Sequence, residues 1–178
     1  MIRSAESTRS TWRYLAPSRP TSESVYESLV KAYMDDVWRF VAARLPRKED
    51  AEDVTMEVFG AAFRKFGTLR RTGDPLVWLL GIARHKVAEA HRKRYRRNET
   101  SLEDAGDHPA PSAEDHRLDL SAIDDLSDLH RDVLILKYVN GLSTEDIARV
   151  IGKSPEAANS LLQRARAAVR HHVKPETF

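Results

Sequence analysis

Cysteine is missing from all 178 residues, which excludes disulfides, thiolate zinc sites and cysteine nucleophiles and agrees with a reducing compartment. No apolar run approaches the ~20 residues that a membrane span needs. The N-terminal stretch has Arg and Ser but lacks the apolar core of a secretory signal. Residues 1–21 are polar, end in Pro17 and Pro20, and read as a flexible tail. No segment alternates in the manner of a strand, so the chain is expected to be all-α. A glycine-rich phosphate loop and a Ser/His/Asp cluster are also lacking. His85 and Glu89 stand one turn apart with His91 near, but no third ligand has the proper spacing. His171 and His172 read as tail residues. No enzyme activity, cofactor or metal is therefore expected.

The chain does have charge, and that charge is segregated. The formal net charge of +2 conceals two opposed blocks. Arg64 to Arg97 carries eleven Lys/Arg against Asp74 and Glu89, a net of +9. Asn98 to Asp128 carries ten acids and one Arg, a net of −9. Aromatic residues (Phe63, Phe66, Trp78, Tyr95) interleave with the basic block, a combination suited to holding a nucleic acid strand.

Apolar spacing divides the rest into helices. Tyr26, Leu29, Val30, Tyr33, Val37, Phe40 and Val41 predict a helix from Ser22 to Leu45, closed by Pro46. A second runs from about Glu49 to Phe66, with Val54, Val58, Phe59, Ala62 and Phe63 inward. Gly67 to Asp74 reads as a loop. Asp74 then caps the basic helix and Pro75 occupies its first position. Leu76, Leu80, Ala83, Val87 and Ala90 form the core stripe of that helix. Trp78 and Ile82 lie off the stripe, either as the wall of a base pocket or as a second packing face. These helices make a three-helix module over residues 22–97.

Residues 98–118 are acidic, aperiodic and contain Gly106, Pro109 and Pro111, so they read as a flexible linker. A second module follows over residues 119–174. Ser127 caps a helix with Leu129, Val133 and Leu136 inward, stopped at Asn140-Gly141. Ser143 caps the next, with Asp146 three residues on, and Gly152 ends it. Ser154 caps the last, Pro155 opens it, and Ala158, Leu162, Ala165 and Val169 form its inner stripe. This is a helix-turn-helix pattern, with Glu156, Asn159, Ser160, Gln163, Arg166 and Arg170 outward.

Two motifs in order carry a family resemblance. AEDVTMEVF (Ala51–Phe59), then FRKF, WLLGIAR (Trp78–Arg84) and a basic tail, resembles region 2 of bacterial sigma factors of the extracytoplasmic-function group. Leu126 to Arg170 resembles region 4, with the linker standing in place of region 3. The resemblance implies a cytoplasmic transcription initiation factor with core RNA polymerase and promoter DNA as partners, and an anti-sigma factor as a further one. By position, Asp50, Asp53, Met56 and Glu57 would meet the polymerase. Arg70, Arg71, Trp78, Arg84, His85, Lys86 and Arg92 would meet the −10 element. Ser154, Pro155, Glu156, Asn159, Ser160, Gln163, Arg164 and Arg166 would meet the −35 element. The chain departs from the family at Met56, where Gln is usual, and at His85, where Asn is usual. It departs again at Asn159 and Leu161, where basic residues are usual, which removes phosphate contacts and leaves Leu161 partly exposed. The competing expectation is a helix-turn-helix regulator acting without polymerase, which leaves the acidic second helix unexplained.

Overall fold

The computed structural model describes residues 22–69, 73–100 and 126–172. The N-terminal tail, Arg70, Arg71, residues 101–118 of the linker and the first residues of the second module lie outside them. Seven helices occur among the described residues and no strand does: α1 (Ser22–Ala42), α2 (Lys48–Arg64), α3 (Phe66–Leu69), α4 (Pro75–Thr100), α5 (Asp128–Tyr138), α6 (Thr144–Ile151) and α7 (Pro155–His172).

α1, α2 and α4 pack on one another around Leu29, Val37, Phe40, Val41, Val58, Leu79, Leu80 and Ala83, all fully or almost fully buried. The stretch expected to be a loop after Phe66 is a short helix through Leu69. Asp74 caps α4 as its position suggests, accepting from the Leu76 amide at 2.9 Å. Gly73, just before it, adopts φ 82, a left-handed conformation that side chains resist. α4 runs three residues past the basic block, to Thr100. It is buried more broadly than one stripe, because Val77 and Leu79 are enclosed along with Leu76, Leu80, Ala83 and Val87.

One expected core residue is not in the core. Phe63 is 59% exposed. Ala51, Val54, Thr55, Val58, Phe59, Ala61 and Ala62 already fill the buried face of α2, so Phe63 is left at its rim, edge-on to Tyr26 at 5.0 Å.

α5, α6 and α7 build the second module. The Ser127 hydroxyl accepts from the His130 amide and the Ser154 hydroxyl from the Ala157 amide. The Ser143 hydroxyl accepts from the Asp146 amide at 3.1 Å and donates to the Asp146 carboxylate at 2.7 Å. The capping box is therefore a closed side-chain pair, which Arg149 completes by donating to the other carboxylate oxygen. Gly152 ends α6 at φ 66. A Cβ there would meet nothing within 4 Å, so Gly152→Ala has a purely backbone cost of roughly 1–2 kcal/mol. Thermal unfolding of the variant is expected to show a Tm lower by roughly 2–4 °C per kcal/mol.

The two modules do not stand apart. α4 packs against α6, and the buried apolar residues of both modules form one continuous cluster.

Candidate nucleic-acid interface

Two faces carry the expected recognition residues, and a third feature joins the modules. On α7, Pro155, Glu156, Asn159, Ser160, Gln163, Arg164 and Arg166 are exposed together, with Ser154 just before them. They recur at helical spacing opposite Ala158, Leu162 and Ala165, which are buried. The Glu156 carboxyl is held below the usual carboxylate range by its own backbone N–H, then by the Ser154 hydroxyl. It remains an acceptor at neutral pH. Arg166 lies over the Tyr138 ring of α5, 5.7 Å from its centroid, a cation–π contact that aims the guanidinium. Arg164 instead donates to the Ser160 carbonyl. Leu161 does not face solvent as expected from its departure from the family pattern. It is 7% exposed and belongs to the apolar cluster, because the buried arc of α7 is wide enough to include it beside Leu162.

On α4, His85 and Arg92 are exposed, with Lys93, Arg94, Tyr95 and Arg96 beyond them. Trp78 and Ile82 are half-buried and pack against the core. Lys86 bridges Glu89 at 2.9 Å and Glu57 at 3.1 Å. The hydrogen bond to Glu89, then that to Glu57, raises the ammonium pKa. Glu57, expected to meet polymerase, and Lys86, expected to meet DNA, are thus one ion pair. Elsewhere on α2, Asp53 and Met56 are exposed, Met56 at 65%, and Asp50 is half-buried.

Arg84 is the site residue whose setting the sequence does not foretell. Its Nε donates at 2.9 Å to Oδ2 of Asp132, a residue of α5 in the other module. Oδ1 of the same carboxylate lies 3.0 Å from Nε of Arg44. Arg44 also donates to Asp128 at 3.0 Å. Arg44 and Asp132 are nearly enclosed, with side chains 3% and 6% exposed. Sequence reading assigned neither a role, although a signal existed. Arg44 interrupts the apolar end of the first helix, and Asp132 interrupts the apolar stripe of Leu129, Val133 and Leu136. A charge at an inward position calls for a partner.

His91 lies on the same seam. Burial first, then the neighbouring Arg44, holds its imidazole pKa below the ordinary value, while Asp128 opposes them. The native state therefore binds fewer protons than the unfolded chain once pH falls below the ordinary 6.5. Stability is expected to fall as pH drops from about 7 towards 5. His91→Gln should flatten that slope, as read from denaturant midpoints across the interval. Among the described residues no group of three His, Asp or Glu side chains could hold a metal ion, and no helix is long and apolar enough to cross a membrane.

Residues 29–97 match sigma-70 region 2, and residues 120–169 match sigma-70 region 4. The chain is 34% identical over 157 residues to the extracytoplasmic-function sigma factor SigC of Mycobacterium tuberculosis, covering 84% of each protein. It is 35% identical over 148 residues to the sigma factor BldN of Streptomyces coelicolor, covering 77% of this chain and 56% of that protein. The sigma factor RpoE of Bartonella quintana, solved with the anti-sigma factor NepR, has the same fold, with a TM-score of 0.71 at 23% identity. That match covers 86% of this chain and 99% of the other. With both regions present in order and relatives of this identity, the chain belongs to the extracytoplasmic-function group of the sigma-70 family, the transcription initiation factors that direct RNA polymerase to promoters.

Proposed function

We propose that the two modules divide promoter recognition between them, with α2 supplying the attachment to core polymerase. In this reading residues 22–97 carry polymerase binding and −10 capture, 98–118 form the connecting linker, and 119–174 carry −35 binding. Asp50, Asp53, Met56 and Glu57 face the polymerase. Arg70, Arg71, Trp78, Arg84, His85, Lys86 and Arg92 serve the −10 element, where a flipped base must be held to offset unstacking. Ser154 to Arg166 enters the −35 major groove. The observation that carries the reading is the exposed row on α7, where amide, carboxylate and guanidinium groups share one face above a buried apolar arc.

The protein acts as a binding factor without catalysis of its own, in the cytoplasm where core polymerase and chromosome meet. The solved relatives RpoE and CnrH are bound by NepR and by the cytosolic domain of CnrY. An anti-sigma factor is accordingly the third candidate partner here. A regulator acting without polymerase would leave the region 2 match over residues 29–97 without a purpose. Transcription of genomic DNA with core polymerase and this protein, with sequencing of the transcript starts, tests the assignment. A shared pair of upstream elements is expected, and permanganate should find unpaired thymines in the downstream one. Starts with no shared −35 element would refute the role given to α7.

A further inference from the structure

Charge on α7 is divided along its length. Ser154 to Gln163 holds one acid, Glu156, and no Lys or Arg. Basic groups flank this half without entering it: Lys153 in the preceding turn, then Arg164, Arg166 and Arg170. Glu156 is exposed, and so are all four of those basic residues. In a helix-turn-helix it is the N-terminal part of the recognition helix that meets base edges. Here that part is acidic. The first turn is also closed to a phosphate. Pro155 brings no amide N–H. The Ala157 amide donates to the Ser154 hydroxyl at 3.2 Å, and the Ala158 amide to the Ser154 carbonyl at 3.0 Å. The Glu156 carboxylate accepts from its own amide and from the Ser154 hydroxyl, which keep it ionised. The donors that draw an anion to a helix start are thus engaged by the chain's own oxygens, beneath a negative charge.

We propose that Glu156 is the cytosine-selecting residue of this factor, and that its −35 element carries a required cytosine facing the first turn of α7. The inference rests on reading α7 as the −35 helix. A carboxylate carried between rows of phosphates is repelled unless a base donor receives it. Only the amino groups of cytosine N4 and adenine N6 donate in the major groove. Adenine N6 stands beside the N7 acceptor of its own base, which opposes a carboxylate, whereas cytosine has a C–H on that side. Cytosine is therefore the better partner. Thymine or guanine in the same place would set an acceptor against the charge, so Glu156 selects by exclusion as well as by attraction. Asn159 and Gln163 follow on the same face, three and seven residues on, at ~1.5 Å per residue. Their amides suit adenine. Guanine, best read by Arg or Lys, has no basic partner in this half of the helix.

The test uses the complex with core polymerase and promoter duplexes whose −35 positions are randomised upstream of a fixed −10 element. Sequencing of the retained duplexes is expected to show one position where cytosine is favoured about tenfold over thymine. Glu156→Gln should turn that position from cytosine to adenine, because an amide pairs with N6 and N7 together. Glu156→Ala should level it, and neither variant should alter the other positions. A duplex with 2-pyrimidinone in place of that cytosine lacks the N4 donor. It should bind the parent complex about tenfold more weakly than the cytosine duplex, and Glu156→Ala should abolish the difference. If Glu156 serves only to steady the helix start, both variants weaken all duplexes alike and every preference stays, which overturns the inference. A parent preference for thymine or guanine at the position the variants alter overturns it too. The reading of α7 fails separately, if Asn159→Ala and Arg166→Ala change neither preference nor affinity. Should Asn159→Ala relax an adenine preference while the Glu156 variants move nothing, α7 remains the reader and only the cytosine assignment falls.

Discussion

Asp53→Lys combined with Met56→Asp is expected to abolish holoenzyme formation while leaving the helix content of the protein unchanged. The two residues stand three apart on α2, so their side chains share a face, and both are exposed. The opposite face of that helix is buried through Val54, Val58, Phe59 and Ala62, and neither substitution touches it. Met56, 65% exposed, is an adaptable apolar anchor of the kind that partner surfaces use. It replaces the polar residue usual in the family, so in the proposed polymerase contact apolar packing would take a larger share. Truncating one central contact of an interface commonly costs about 2 kcal/mol. Reversing a charge and burying a new one together should therefore weaken binding by about two to three orders of magnitude. Glu57 is left unchanged in this test, because its ion pair with Lys86 would make a reversal there disturb the basic helix as well. Co-elution with core polymerase, alongside far-UV circular dichroism, checks the result. A double variant that assembles at the parent's concentrations would show that α2 is not the polymerase contact.

The next largest effect is expected on α7, where two substitutions should separate base readout from phosphate attachment. Asn159→Ala removes an exposed amide that can pair both acceptor and donor edges of adenine in the major groove. It should cost roughly 1–3 kcal/mol on the preferred −35 sequence and much less on others, so that preference is relaxed. Arg166→Ala removes a guanidinium aimed by Tyr138. It should weaken all sites alike and lower the salt slope by about one contact. Tyr138→Ala leaves Arg166 present and unaimed, and should reproduce part of the same loss. Binding of the polymerase complex to a library of −35 variants, at two salt concentrations, reads both effects. If both substitutions weaken every site equally, α7 holds the backbone without reading bases.

Much of this architecture was legible in the residues alone. Asp74-Pro75, Ser127, Ser143 and Ser154-Pro155 mark helix starts, because a cap is a bond between a side chain and amides two or three residues away. Gly152 marks a helix end, since its φ of 66 suits a residue without Cβ. The apolar spacing of α1, α4 and α7 likewise identified the faces that bury Leu29, Leu80 and Leu162. Local bonds and helical period are properties of short stretches, and short stretches declare them.

What escaped the sequence depends on neighbours far away in the chain. Phe63 keeps inward spacing yet stays 59% exposed, and Leu161, whose departure from the family pattern implies partial exposure, is 7% exposed. Each outcome is set by how wide an arc the packed helices cover, which no local period records. Arg84 carries the charge pattern of a DNA contact, and the sequence by itself determined that it would lie on a basic helix. Only the tertiary structure decided that it meets Asp132, 48 residues on, because a buried charge chooses its partner by proximity after the modules have packed. The charge and spacing of α4 are local and were written in the residues, whereas the contact between Arg84 and Asp132 exists only once the two modules pack on each other.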